Sequence, residues 1–250
     1  MKNSVSRFDG RVEFYAKYRP GYPEQIISLL EKKIDFDVSK DVADIGCGTG
    51  ILSRLFLNNG NLVFGIEPNN EMRKAAEEKL EKYLNFTCLK GTAEETMLAD
   101  KSVDIISAGQ AFHWFDSKKA KSEFKRVLRP GGHVVIIWNE RKNVSMFMKA
   151  YNKLLKSFSK ELDKAKDNIA DKEFLKSFFG HDEYHTQTLP NFQILDFNGL
   201  KGRILSISYI PLEGPEHKEI MNGVKDIFEK FNNGGQVKLE YATRVFIGNL

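Results

Sequence analysis

Short apolar runs alternate, over the first 140 or so residues, with segments in which apolar residues recur every three or four positions. Short apolar runs are typical of buried strands, whereas the wider spacing is typical of amphipathic helices. The pattern predicts strands over 42–45, 62–66, 86–89, 103–108 and 134–138, and helices over 51–58, 71–84 and 118–128. Alternating strands and helices predict an α/β fold in which a parallel sheet carries helices on both faces.

The alternation stops after the fifth predicted strand. Residues 143–185 look helical and Lys-rich, with an apolar stripe that runs from Phe147 to Phe158. Such a stripe either joins the core or forms a lid, because insertions at the carboxyl end of a strand lie where open α/β sheets bind ligands. A strand over 192–197, a helix over 216–231 and a strand over 237–247 follow. We expect one domain, with a cofactor-binding core at about 35–140, a helical insertion at about 141–190 and a sheet-completing part at about 191–250.

Three glycines, Gly46, Gly48 and Gly50, occupy alternate positions after the first predicted strand. Glycine permits positive φ angles and leaves bare backbone where a ligand lies, so this loop is expected to bind a ligand. A dinucleotide-binding loop would place its third glycine at position 51, which is Ile51. The spacing therefore disfavours a nicotinamide dehydrogenase and favours an adenosine cofactor without a diphosphate, such as S-adenosylmethionine.

Composition restricts the partners, metal content and location that are expected of the protein. The chain has 250 residues, 41% of them hydrophobic, and its 38 basic and 34 acidic residues are interspersed, so no nucleic-acid partner is expected. Cys47 and Cys88 are about forty residues apart in the sequence, a spacing that fits neither a metal-ligand motif nor a disulfide framework. We therefore expect no metal and a reducing, cytoplasmic location. No segment approaches the roughly 20 apolar residues of a membrane span, so we expect a soluble protein.

Several motifs, taken in their order and spacing, resemble those of the class I S-adenosylmethionine-dependent methyltransferases, particularly the type-11 branch that includes trans-aconitate-methyltransferase-like proteins. These motifs are Tyr18-Arg19-Pro20-Gly21-Tyr22-Pro23, Asp44 to Gly50, Glu67-Pro68, Gly91-Thr92-Ala93-Glu94, Gln110 to Phe115, Arg126 to Gly132, Gly202-Arg203, Ser206 to Tyr209 and Tyr241-Ala242-Thr243. The resemblance implies S-adenosylmethionine as cofactor and a Rossmann-like, doubly wound seven-stranded sheet. That sheet would be mostly parallel, with the strand ending at Ile247 as its antiparallel last member.

The resemblance also implies cofactor contacts. Glu67 would accept hydrogen bonds from both ribose hydroxyls, and Asp44 would order the glycine loop and face the methionine ammonium. Arg19 would hold the cofactor's carboxylate, while the Ala93 amide and the Glu94 carboxylate would recognise the adenine. The expected cofactor-binding residues are Arg19, Asp44, Gly46, Cys47, Gly48, Gly50, Glu67, Pro68, Ala93, Glu94 and Gln110.

Two of these assignments have competing interpretations. Glu94 would alternatively begin a short helix, where an acid favours the helix dipole. Many relatives carry an acid where Thr92 stands, which weakens the expected adenine contact. The tyrosines on either side of Arg19 would alternatively pack an N-terminal helix on the sheet.

A candidate general base, His113, follows the fourth predicted strand at the edge where the methyl group must lie. Imidazole titrates near neutrality and can take a proton from a hydroxyl or amine. The alternative is a packed histidine among Phe112, Trp114 and Phe115. Methyl transfer from a sulfonium needs mainly alignment and desolvation, so the sequence need not contain a catalytic triad.

A small-molecule acceptor with a carboxylate or hydroxyl group is favoured. Arg203 or Arg141 would orient an acid, unless Arg203 serves as a structural ion-pair partner. Two other classes remain open: a non-catalytic S-adenosylmethionine-binding sensor or scaffold, and an RNA or protein methyltransferase. The second is disfavoured because the Asn-Pro-Pro-Tyr type of motif and a basic stripe with interleaved aromatics are both absent.

Overall fold

The computed structural model describes residues 10–158, 172–180 and 184–250. Its strands are β1 (Val42–Ile45), β2 (Val63–Ile66), β3 (Phe86–Leu89), β4 (Val103–Gly109), β5 (Leu128–Arg141), β6 (His185–Leu195) and β7 (Val237–Gly248). Its α-helices are α1 (Val12–Tyr18), α2 (Gln25–Ile34), α3 (Ser53–Asn59), α4 (Asn70–Leu80), α5 (Ser117–Val127), α6 (Met146–Ser157), α7 (Lys172–Phe179), α8 (Phe197–Leu205) and α9 (Gly214–Phe231).

The seven strands form one sheet in the order β3-β2-β1-β4-β5-β7-β6. Strands β1 to β5 pair in parallel, whereas β7 runs antiparallel to both of its neighbours, β5 and β6. The predicted fold, a mostly parallel seven-stranded sheet with an antiparallel last strand, is therefore confirmed. Strand order reverses between β1 and β4, so the carboxyl ends of these two strands border the crevice in which open α/β sheets bind ligands.

Two hydrophobic clusters cover the faces of the sheet. Phe112 and Phe124 belong to one cluster, and Leu30 and Phe56 belong to the other, all with exposures of 1% or less. All four residues of β1 are buried, as expected for a central strand covered on both sides. This packing fixes the strand ends that carry the glycine loop.

The predicted helical insertion contains two described helices, α6 and α7, which pack against different parts of the fold. Helix α6 buries its apolar stripe, including Tyr151 and Leu155, in a third cluster with α8, α9 and β7. Helix α7 places Leu175, Phe178 and Phe179 in the cluster of Phe112. Residues 159–171 and 181–183 of the predicted insertion lie outside the described residues, and its last part, 185–190, belongs to strand β6 and is not helical. The stripe is therefore part of a hydrophobic core.

Three sequence predictions differ from the structure in the second half of the chain. Strand β6 begins at His185, seven residues before the predicted start at position 192. Helix α8 was not predicted; Asp196 caps it by accepting from the Gly199 amide at 2.7 Å, and its two glycines weaken the helical pattern. Strand β5 begins at Leu128, six residues before the predicted start at position 134, and includes an irregularity where the register with β4 shifts and Gly131 adopts a φ of 80°.

Candidate cofactor and acceptor site

The glycine loop after β1 folds over the end of β2. Gly46, Gly48 and Gly50 have φ angles of 68°, 57° and 76°, which strongly favour glycine. The Gly46 amide donates to the Ile66 carbonyl at 2.8 Å, and a Cβ at Gly46 would lie 2.7 Å from the Cβ of Ala111. Gly46 and Gly48 border the cavities described below. Gly50 does not; its Cβ would meet Leu80 Cδ1 at 2.5 Å, so its smallness serves the packing of the loop on α4.

Glu67 follows β2 and is 8% exposed, so it is not a solvated loop carboxylate. One carboxylate oxygen accepts from the Gly48 amide at 3.0 Å and the other from the Asn69 amide at 2.9 Å. Burial raises its pKa, and the two backbone hydrogen bonds oppose that rise. Each oxygen keeps a second lone pair, so the carboxylate both orders the loop and remains able to accept from a ligand hydroxyl.

Asp44 is completely buried at the end of β1. Its carboxylate accepts from the hydroxyls of Ser53 at 2.6 Å and Ser107 at 3.2 Å. Burial raises its pKa to about 6, despite these hydrogen bonds. Ser53 starts the helix after the glycine loop and Ser107 lies on β4, so Asp44 ties the loop to the neighbouring strand and lines the larger cavity.

Two adjoining cavities open at the carboxyl ends of β1, β2 and β4. The smaller, of about 190 Å³, is lined by Tyr15, Gly46, Gly48, Glu67, Pro68, Asn69, Met72, Thr92, Ala93, Glu94, Gly109, Gln110, Ala111, Trp114 and Phe115. The larger, of about 340 Å³, is lined by Tyr15, Arg19, Pro20, Tyr22, Asp44, Gly46, Cys47, Ile51, Leu52, Gly109, Gln110, Trp138, Asn139, Glu140, Arg141, Arg203 and Tyr241. Four residues are common to both cavities: Tyr15, Gly46, Gly109 and Gln110. Every residue expected to bind the cofactor except Gly50 therefore borders one of the two cavities.

Arg19 lies at the C-terminus of α1 in the wall of the larger cavity. One Nη donates to the Ser206 carbonyl at 2.7 Å, and the guanidinium stacks 4.7 Å from the ring centroid of Tyr15. Its buried Nε has no hydrogen-bond partner among the described residues. Burial, followed by the charge of Arg203, lowers the pKa of Arg19 to about 10. A buried cation with an unused donor at a cavity wall suits a bound carboxylate.

The loop after β3 supplies the far wall of the smaller cavity. Ala93 is 3% exposed, and the Glu94 carboxylate accepts from the Asp116 amide at 2.8 Å. The alternative interpretation, that Glu94 begins a helix, is wrong, because residues 91–99 contain no helix. Thr92 Oγ accepts from the amides of Glu94 and Glu95 at 3.3 and 3.2 Å, so the residue that departs from the family pattern orders this loop.

His113 lies in the single 3₁₀ turn Phe112–Trp114 that follows β4. Its ring is 4.3 Å from the ring of Trp114 and 5.0 Å from that of Trp138, centroid to centroid. It is not among the residues that line either cavity, whereas its neighbours Trp114 and Phe115 line the smaller one. These contacts are those of a packed histidine, and its role as a base stays a prediction.

Sequence reasoning missed several residues of the larger cavity. Asn139 was not expected there, and Tyr22 and Tyr241 were noted only as parts of motifs. Asn139 bridges the N-terminal segment to β5, because its amide donates to the Gly21 carbonyl at 3.1 Å. Sequence spacing does not predict that these residues meet, because each comes from a different part of the chain.

Two further tests bear on the class of site. Among residues 10–158, 172–180 and 184–250, no group of three or more His, Cys, Asp or Glu side chains is placed to hold a metal ion. Within the same ranges, no helix is both long enough and apolar enough to cross a membrane.

Comparisons with known proteins agree with this architecture. A family model described as a methyltransferase domain matches residues 43–136. An uncharacterized methyltransferase of Schizosaccharomyces pombe is 28% identical over 92% of this chain and 91% of its own. An uncharacterized methyltransferase of Mycobacterium tuberculosis is 37% identical over 54% of this chain and 52% of its own. The solved structure of a putative type II methyltransferase from Anaeromyxobacter dehalogenans shares the fold, with a TM-score of 0.65, 19% identity and coverage of 93% of this chain and 98% of that one.

These matches confirm the resemblance that the sequence motifs carried. The glycine loop, Glu67 and the loop after β3 all lie within the matched residues 43–136. Together the matches support a class I S-adenosylmethionine-dependent methyltransferase of the type-11 branch.

Proposed function

We propose that this methyltransferase acts on a small-molecule acceptor, at a carboxylate or hydroxyl oxygen, with the adenosine of the cofactor in the smaller cavity and the acceptor in the larger. The observation that carries the proposal is that the two cavities meet at Gly46, Gly109 and Gln110, where the strand order reverses. A cavity of about 340 Å³ lies within the range of small-molecule sites.

The residues around the smaller cavity fit an adenosine. Glu67 supplies a buried carboxylate with free lone pairs for the ribose hydroxyls, and Pro68 and Met72 supply apolar walls. Ala93 and Glu94 border the same cavity and would contact the base. The smaller cavity thus combines two carboxylates, those of Glu67 and Glu94, with mostly apolar surface.

Two charged residues of the larger cavity fit the amino-acid end of the cofactor. Asp44 presents a buried carboxylate for an ammonium, and Arg19 presents an unused donor for a carboxylate. Bound S-adenosylmethionine supplies a methyl group on a sulfonium, which is already activated for displacement. The opposite charges of Asp44 and Arg19 would fix the orientation of this end of the molecule.

The chain's contribution to rate is then alignment and exclusion of water. Tyr15 lines both cavities, and Tyr22 and Trp138 line the larger one. A carboxylate acceptor needs no base, whereas a hydroxyl acceptor would have to lose a proton. Since His113 lines neither cavity, the geometry favours an acceptor that reacts without proton abstraction by this residue.

Calorimetric titration tests the cofactor assignment. The wild type is expected to bind S-adenosylmethionine and not NAD, and Glu67→Ala to bind S-adenosylmethionine at least about tenfold more weakly, a loss of about 1.4 kcal/mol. Glu78→Ala, which changes an exposed acid on α4, is the matched control and should bind like the wild type. Equal binding by Glu67→Ala would refute the role of Glu67.

Acceptor class is tested with methyl-labelled cofactor. The protein is incubated separately with small carboxylic acids, small hydroxyl compounds, total RNA and total protein. Label in the small-molecule fraction is expected. Transfer to RNA or protein alone would overturn the small-molecule assignment, and cofactor binding without transfer to any fraction would favour a sensor.

A further inference from the structure

A buried arginine in the larger cavity has no acidic partner among the described residues. Arg203, on α8, is 3% exposed and forms part of the cavity wall. Its hydrogen bonds go to neutral groups and are long: Nε donates to the Tyr241 hydroxyl at 3.4 Å and one Nη to Ser206 Oγ at 3.3 Å. The sequence-based interpretation of Arg203 as an ion-pair partner finds no carboxylate here. A buried guanidinium without a counter-ion destabilises the fold, because it has lost its hydration. An anion bound beside it would offset that loss.

Other arginines add to the positive charge of this wall. Arg19 and Arg141 line the same cavity. Ser206 lies between two of the guanidinium groups, because its carbonyl accepts from Arg19 at 2.7 Å and its hydroxyl from Arg203. Arg141 directs its Nε to the Asn152 side chain at 3.0 Å, again a neutral acceptor. The wall therefore holds three cations that have neutral acceptors.

The two carboxylates that line the cavity are already engaged. Glu140 accepts from Arg244 at 3.0 Å. Asp44 accepts from the hydroxyls of Ser53 and Ser107. Neither forms an ion pair with Arg19, Arg141 or Arg203 in the described structure, so the positive charge of the wall is not neutralised within it.

Arg203 is also held in a defined orientation. The Tyr241 hydroxyl donates to Gln193 Oε1 at 3.0 Å, and Gln193 Nε2 donates to the Tyr18 carbonyl at 3.1 Å. This chain of hydrogen bonds links Arg203 to β7, β6 and the N-terminal segment. Among the described residues, two of the five N–H donors of the guanidinium have acceptors, at Nε and one Nη, which leaves three for a ligand. A preorganised planar fork of this kind matches a carboxylate.

We propose that Arg203 is a specificity-determining residue that binds a carboxylate of the acceptor. This inference rests on the proposed function, because it assumes that the acceptor occupies the larger cavity and that Arg19 holds the cofactor's own carboxylate. Arg203 then selects acids over their uncharged analogues.

A comparison of the affinities of acids with those of their uncharged amides tests the proposal. Acetate, succinate, phenylacetate and indole-3-acetate, each with its uncharged amide, are titrated by calorimetry into protein saturated with S-adenosylhomocysteine. At least one acid is expected to bind the wild type tenfold more tightly than its amide, and Arg203→Gln is expected to abolish that preference. Arg54→Gln removes the same charge from an exposed position on α3 and should leave the preference unchanged. No preference in the wild type, or a preference that survives in Arg203→Gln, would overturn the proposal.

Two measurements separate the possible failures. Arg203→Lys keeps the charge but not the fork, so several-fold weaker acid binding is expected even where Arg203→Gln does not fold, and unchanged affinity counts against the proposal. S-adenosylhomocysteine should bind Arg203→Gln within twofold of the wild type. A tenfold loss of that binding would assign Arg203 to the cofactor's carboxylate and overturn the proposal. Failure of the wild type to bind S-adenosylhomocysteine would instead refute the proposed function.

Discussion

Replacing Asp44 with asparagine should change how the stability of the fold depends on pH. Burial raises the pKa of Asp44 from 3.8 to about 6, so the folded state binds this proton more tightly than the unfolded state does. A raised carboxyl pKa gives stability that is fully present below pH 3.8 and is lost as pH rises through 6. The complete loss corresponds to about 3 kcal/mol, and the part between pH 5 and pH 7 to about 1.3 kcal/mol.

Urea unfolding at pH 5 and pH 7 measures this difference. Asparagine has the shape of aspartate and does not titrate, so any effect of lost hydrogen bonds to Ser53 and Ser107 is the same at both pH values. The free energy of unfolding of Asp44→Asn, relative to the wild type, should therefore rise by about 1.3 kcal/mol from pH 5 to pH 7. Parallel pH dependences for the two proteins would refute the reasoning.

The cofactor product extends the same experiment. An ammonium placed against Asp44 stabilises the ionised carboxylate, so the wild type should bind S-adenosylhomocysteine more tightly at pH 7 than at pH 5. Asp44→Asn should bind it more weakly at pH 7 and with little change between the two pH values. A pH-dependent affinity that persists in Asp44→Asn would place the titrating group elsewhere.

The remaining predictions concern close packing around glycines. Gly109→Ala places a Cβ 2.5 Å from the Tyr22 hydroxyl, between the two cavities, and should weaken S-adenosylhomocysteine binding about tenfold in calorimetry; wild-type affinity would show that Tyr22 yields freely. Gly202→Ala places a Cβ 2.1 Å from a ring carbon of Tyr18, so the fold should lose about 1–3 kcal/mol in urea unfolding, although alanine normally favours a helix. Gly131→Ala is the control, because no atom lies within 4 Å of a Cβ added there and only the φ of 80° opposes alanine. That substitution should cost about 1 kcal/mol of unfolding free energy. An equal or smaller loss for Gly202→Ala would contradict the packing argument.

The first half of the fold was predictable because its signals are local. Each strand from β1 to β4 is a short apolar run, and each helix between them shows a three-to-four spacing within a few residues of its observed bounds. The second half was harder to predict, since α8 contains Gly199 and Gly202, whose close contacts to other elements outweigh their poor helix propensity. The exposed residues of β6, including Phe192 and Ile194, also give it a weak pattern for a strand.

The candidate site shows the same division. The positions of Gly46, Gly48 and Glu67 followed from one β-α-β unit, in which sequence spacing fixes the distance between loop and acid. Arg203 and Tyr241 reach the larger cavity only because α8 and β7 are brought to it by tertiary packing. Sequence spacing does not predict that these two residues lie at the same cavity, and only the family resemblance drew attention to them.

The two halves of the site therefore differ in how much of the chain builds them. Apart from Tyr15, every residue that lines the smaller cavity lies within residues 43–136, which the methyltransferase family model matches. The larger cavity also draws on Arg19, Arg141, Arg203 and Tyr241, all outside that range, and hydrogen bonds through Gln193 connect its wall to the N-terminal segment. Changes in these outer elements can thus alter the acceptor without disturbing the glycine loop. Conversely, because Arg203, Tyr241 and Gln193 are joined in one chain of hydrogen bonds, removing any of them is expected to affect the same property, the recognition of an anionic acceptor.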